Sequence, residues 1–150
     1  MTKDDLKRLS DIRDEIAVLS DDIAKQETVV LDFAENRKRF AQSVMMSSNN
    51  EACKVVESRV ISEAVDPEEH KARRWLERLK AKHSEKSQEH DALLAEIEVW
   101  LLTEPDWRIR RILKVRYLEN HSVGETADLL GYSVQHVMNV ESRFWGKTGK

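Results

Sequence analysis

The stretch SVGETADLLGYSVQHVMNVES, residues 122–142, decides the fold. Ser122 stands three residues ahead of Glu125, the spacing at which a hydroxyl and a carboxylate each satisfy a free amide at a helix start. A short helix from Val123 to Leu130 follows. Gly131 then supplies the left-handed backbone that ends a helix at low cost, and Ser133 is placed to cap the next one. Ala127 is small where two helices would cross, Gly131 comes four residues later in the turn, and Val137 six beyond that in the core. Leu130, Tyr132, Val140 and Phe144 fill the remaining apolar positions. A bihelical unit with this spacing is a helix-turn-helix, which presents its second helix to the major groove of DNA. Thr126 departs from the pattern, since an aliphatic residue is more usual there.

The second helix turns Val134, Gln135, Met138, Asn139 and Ser142 outward, with His136 and Arg143 alongside. Gln and Asn make paired hydrogen bonds to adenine, and Val and Met can meet a thymine methyl group. The expected base-reading set is Val134, Gln135, Met138 and Asn139, with the two amides deciding most of the sequence choice. Phosphate contacts are expected from Ser133, His136, Ser142, Arg143 and Lys147, joined by Arg111 and Arg116 from the helix before. Such contacts set position and affinity rather than sequence. The competing reading is that these arginines solvate a helix or pair with acids.

That preceding helix is expected from Asp106 to Glu119. Ile109, Ile112, Leu113, Val115 and Tyr117 pack it, and Arg108, Arg110, Arg111, Lys114 and Arg116 make it the most basic stretch of the chain. Thr103-Glu104-Pro105-Asp106 separates it from what lies upstream, because Pro is tolerated in a first turn and disrupts an interior.

Upstream, residues 1–103 read as a helical arm and 104–150 as the helix-turn-helix domain. Leu9, Ile12, Ile16, Leu19, Ile23, Val30, Phe33, Phe40 and Val44 follow a heptad seam, with Gln26 and Arg37 in its gaps. A helix from Asp4 to Met46 is expected, its stripe facing another helix. Ser47-Ser48-Asn49-Asn50 breaks it, and Ala52, Val55, Val56, Val60 and Ala64 suggest a short amphipathic helix. Asp66-Pro67-Glu68-Glu69 has the cap, the first-position proline and the acids of a new helix start. The helix it opens runs to Thr103 and carries a second seam through Ala72, Leu76, Leu79, His83, Lys86, His90, Leu93, Ile97 and Trp100. The two form an antiparallel hairpin or each pairs with a second chain. A tightly closed hairpin would set Gln26 near His90 and Arg37 near Leu79.

Composition agrees with an all-α fold: 35% of the 150 residues are charged, with only four Gly and two Pro. The net charge of −3 hides an asymmetry. From Pro105 onward there are eight Lys and Arg against five Asp and Glu, and before it seventeen against twenty-three. An anionic partner should meet the C-terminal third. Cys53 is the lone cysteine, so neither an internal disulfide nor a thiolate zinc cluster is expected. His83 and His90 lack the further ligands a metal needs. No leader and no apolar run long enough to span a bilayer is evident, so a soluble cytoplasmic protein is expected. The sequence offers no phosphate-cradling Gly loop, no carboxylate cluster at metal spacing and no nucleophile paired with a base. Neither an enzyme nor a bound cofactor is expected.

Arg111-Ile112-Leu113-Lys114-Val115-Arg116-Tyr117-Leu118, then Ser122-Val123-Gly124-Glu125-Thr126-Ala127, then Leu130-Gly131-Tyr132-Ser133 and Val137 resemble region 4 of bacterial sigma factors. More closely they resemble the small phage regulators of the ArpU and RinA type. The resemblance covers about the last 45 residues; the arm is similar in architecture alone. It implies a phage- or prophage-encoded transcription regulator that binds promoter DNA and touches RNA polymerase. The base-reading positions of sigma region 4 fall on Val134, Gln135, Met138 and Asn139, where this chain lacks the usual charges. The expected partner is double-stranded DNA, bound by a homodimer or higher oligomer whose arm sets half-site spacing. Two alternatives stand beside it. One is a DNA-packaging protein like a small terminase subunit; the other is a helix-turn-helix that binds RNA polymerase rather than DNA.

Overall fold

The structure is a computed structural model that describes residues 1–47 and 66–148. All of its regular structure is helical: α1 Lys3–Ser47, α2 Pro67–Thr103, α3 Trp107–Leu113, a π-helical turn Lys114–Leu118, α4 Val123–Leu130 and α5 Val134–Thr148. The expected bounds of both long helices fall within a residue of those observed. Asp66 caps α2, its carboxylate accepting the Glu68 amide at 2.9 Å. The rest of the expected break after Ser47, Cys53 and the short helix through Ala52–Ala64 lie outside the described residues. No described helix is long and apolar enough to cross a membrane. The chain divides into two compact units, Met1–Ala17 with Glu85–Lys150, and Val18–Ser84.

In the unit Val18–Ser84, α1 and α2 run antiparallel. Leu19, Ala72 and Leu79 are buried, and Ile23, Gln26, Val30, Phe33 and Arg37 lie half-buried at three- and four-residue steps. The seam periodicity is therefore as expected, but its register is not. Gln26 donates to the Ala72 carbonyl at 3.1 Å rather than lying near His90. Arg37 pairs with Glu69 at 3.2 Å rather than approaching Leu79. Apolar heptads repeat and tolerate several alignments, so polar groups choose among them. Glu69 is only 1% exposed, and a buried carboxylate without a cation is strongly unfavourable. Arg37 meets one of its oxygens, and Arg73, one turn along, bonds the other at 2.8 and 3.0 Å. Phe40 is 61% exposed rather than on the seam, because the pairing of Arg37 with Glu69 already reaches the start of α2.

The other unit joins the first turns of α1 and the last part of α2 to all the C-terminal helices. Leu6 and Leu9 of α1, Ile97 and Leu101 of α2, Leu113 of α3, Leu118 of the π turn and Phe144 of α5 form one buried cluster. Aromatic rings extend it: Trp100 stacks on Trp145 at 6.2 Å and meets Phe144 edge-on at 5.8 Å. At the rim of this unit Arg8 is bonded to Glu89 and Lys86 to Glu15 at 3.2 Å.

Candidate nucleic-acid interface

The helix expected over Asp106–Glu119 is split. Asp106 caps α3 by accepting the Arg108 amide at 2.9 Å, and the α-helical pattern ends at Leu113. The next turn widens, so that the Glu119 amide reaches back five residues to Lys114 at 3.1 Å. Asn120 then adopts φ +57°, a left-handed conformation that asparagine tolerates better than most residues. Its neighbours are tied down from two sides. Arg13 donates to the Leu118 carbonyl at 2.7 Å, and Arg116 to the His121 carbonyl at 2.6 Å. These contacts fix the point at which α4 departs.

Both halves of the Ser122–Glu125 capping box are present, with the Ser122 amide donating to Glu125 at 2.7 Å and the Glu125 amide to the Ser122 hydroxyl at 3.2 Å. The backbone bond from Ser122, then its side chain, holds the Glu125 carboxyl below its ordinary value. Thr126 is fully buried, and its hydroxyl donates to the Ser122 carbonyl at 2.8 Å. That local bond explains how a polar residue occupies an aliphatic position. Gly131 ends α4 at φ +70°, and the Tyr132 amide closes on the Ala127 carbonyl at 2.9 Å. The Ser133 hydroxyl then accepts the His136 amide at 3.1 Å, opening α5.

Ile112, Ala127 and Val137, each no more than 1% exposed, lock α3, α4 and α5 together, with Val123, Leu130, Tyr132 and Val140 packed around them. Val137 and Phe144 are buried and Val140 half-buried on one side of α5, which leaves the opposite side outward. Val134, Gln135, Met138, Asn139 and Ser142 are all exposed there. Gln135 Nε2 donates to Asn139 Oδ1 at 3.1 Å. The bond leaves the Gln135 carbonyl, its second N–H and both Asn139 N–H groups free to meet a partner. His136 packs against the Tyr132 ring at 4.9 Å.

The cations expected at phosphate separate into three groups. Arg143 and Lys147 are exposed on α5, a turn apart, with no carboxylate within ion-pair distance among the described residues. Arg111 is exposed on α3 and lines a hollow with Trp107 and Lys114. Arg116 is half-buried and occupied internally: it bonds the His121 carbonyl, approaches Glu141 at 3.4 Å and lies 5.5 Å over the Tyr117 ring. Its role is to brace the α3–α4 junction, as the competing reading of the arginines allowed. Burial pushes the Glu141 carboxyl up, countered by Arg116 and then Lys3. Burial likewise raises Tyr117.

Sequence reasoning missed Arg13 and Asn120, which fasten this junction together with Arg116. Arg13 reaches Leu118, and the Ser10 hydroxyl donates to Asn120 at 3.3 Å, each across more than a hundred residues of chain, and only the isolated asparagine between helices was a local signal. Comparison with known proteins finds no matching family model, no matching curated protein and no matching solved structure.

Proposed function

We propose that this chain binds double-stranded DNA sequence-specifically through α5, as a transcription regulator. The observation that carries the reading is the pairing of Gln135 with Asn139 on the outward face of a helix whose inner face is locked by Val137. An amide held by its neighbour meets a base edge with less side-chain freedom to lose, and Gln135 retains the donor and the acceptor that adenine requires. Val134 and Met138 flank the pair as apolar contacts for thymine methyl groups. The Val134 and Gln135 amides at the start of α5 have no carbonyl partner within the helix and suit a phosphate oxygen, whereas the His136 amide is already capped by Ser133. Arg143 and Lys147 supply the positive charge, joined by the hydroxyls of Ser133 and Ser142 and by His136.

The resemblance to sigma region 4 and to phage regulators of the ArpU and RinA type fits this reading, and it extends it to promoter DNA in a bacterial cytoplasm with RNA polymerase nearby. A homodimer that engages two half-sites compensates for the small number of cations on α5. The test is to retain fragments from a pool of random and genomic DNA at near-physiological salt and sequence them. A shared motif, with two spaced half-sites, is the expected result. Retention without any motif moves the function to packaging or architectural binding, and absence of retention removes DNA as the ligand.

A further inference from the structure

We propose that the hollow between the C-terminal end of α2 and α3 docks an acidic segment of a partner protein that carries a leucine or aromatic anchor. The hollow measures about 480 Å³ and belongs wholly to the unit that contains the C-terminal helices. Leu101 and Leu118 form its buried floor, and Leu102 and Trp107 stand at its walls, 72% and 55% exposed. Val99, 66% exposed and three residues before Leu102, continues the apolar strip along the same side of α2. Large apolar side chains left in water side by side mark an interaction surface more often than scattered single ones do.

Charge selects the occupant. Arg110, Arg111 and Lys114 line the hollow against Glu98 alone, and none of the three has a carboxylate within ion-pair distance among the described residues. A second copy seated symmetrically would set these cations against their own counterparts, a like-charge arrangement that interfaces avoid. DNA would answer the cations but would bury Leu102 and Trp107 against a charged backbone, whereas protein–DNA interfaces are predominantly polar. A peptide whose Asp or Glu residues meet the cations while one apolar side chain enters the floor satisfies both halves of the site. This assignment takes Arg111 away from phosphate, and it shares no residue with the outward face of α5.

The experiment pans a display library of random twelve-residue peptides on the full chain and measures the enriched peptides by fluorescence anisotropy. Enriched sequences should combine two or more acidic residues with Leu, Phe or Trp. Trp107→Ala should weaken them by at least about tenfold, the usual effect of removing an anchor. Lys114→Glu, at an exposed position, should weaken them as well while leaving the far-ultraviolet spectrum unchanged. Absence of enrichment, enrichment of neutral or basic peptides, or equal binding by the native chain and both variants overturns the proposal. Two parallel measurements assign the surface elsewhere if it fails. Loss of DNA retention by Lys114→Glu with peptide binding intact gives the cations to DNA. A native dimer that Trp107→Ala dissociates gives the hollow to a second copy. Gln135→Ala tests only the α5 reading, so the failure of one proposal is separable from that of the other.

Discussion

Replacing Gly131 by alanine isolates the backbone cost of the turn on which α5 depends. Gly131 sits at φ +70°, and a Cβ built there meets no atom within 4 Å. The penalty therefore contains no steric clash with a neighbour, only the strain of an L-residue in the left-handed region, about 1–2 kcal/mol. Restricting the unfolded chain returns about 0.4–1 kcal/mol. The net loss expected for Gly131→Ala is about 1 kcal/mol, a fall of about 2–4 °C in melting temperature for a chain of this length. Gly131→Asn should lose about half as much, because the asparagine side chain tolerates the left-handed region. Urea unfolding followed by tryptophan fluorescence reports the change, since Trp100 and Trp145 lie in the same packed unit. A loss above about 3 kcal/mol for alanine would mean that its Cβ collides with something, and the reasoning would fail. Equal stability of all three proteins would show that the turn does not use a left-handed residue.

Three further outcomes follow from particular contacts. Gln135→Ala and Asn139→Ala should each shift base preference by about 1–3 kcal/mol at the contacted position, and the double variant should lose less than their sum because the two amides act as a bonded pair; additive losses in a binding-site selection would refute the pairing. Glu69→Ala should destabilise by about 1–3 kcal/mol, discounted from the fully buried case because Arg37 and Arg73 reach solvent, whereas Glu69→Leu should recover much of it in denaturant titration. Glu125 is held below its ordinary value, so the stability it gives is present above about pH 4.3 and lost as pH falls through its lowered value; Glu141, raised by burial, acts in the opposite direction. Glu125→Gln should therefore flatten the fall in melting temperature on acidification, and an unchanged acid limb would remove the carboxylate from the cap.

The chemistry of helix ends was legible in the sequence, because donor and acceptor there lie within four residues of one another and use residue types with known capping roles. Ser122 with Glu125, Asp66 before Pro67, Gly131 and Ser133 each satisfy a helix end from nearby, so their spacing announced them. The heptad seams were legible as periodicity but not as register, because sliding one apolar stripe along another preserves most contacts until a group such as Glu69 demands a particular partner. The π-helical turn had no signature, since Lys114–Leu118 contains ordinary helix-forming residues and the widening is fixed by packing of Val115 and Leu118 and by the closing bond to Lys114. Nor could spacing show that Leu6 and Leu9 share a core with Leu113 and Phe144. Such contacts are decided by which surfaces remain uncovered after the helices have formed.

The distribution of cations makes salt dependence the sharpest measure of how the C-terminal unit meets DNA. The Lys and Arg residues of α5 are Arg143 and Lys147, both exposed and without a carboxylate within ion-pair distance among the described residues. Each neutralised phosphate contributes about −0.9 to the slope of log K against log salt, so one such unit should give a slope of about −2 and a two-copy complex about −4. Arg143→Ala should reduce the slope by about 1 per copy and weaken all sequences alike, while Arg116→Ala should change stability rather than slope, because its guanidinium is occupied by His121 and Glu141. A native slope steeper than about −6 for a two-copy complex that Arg111→Glu flattens would place that cation on phosphate, which would refute its assignment to the hollow beside Trp107. A slope near −4 that Arg111→Glu leaves unchanged would place DNA recognition on α5 alone and keep the α3 cations for an acidic partner.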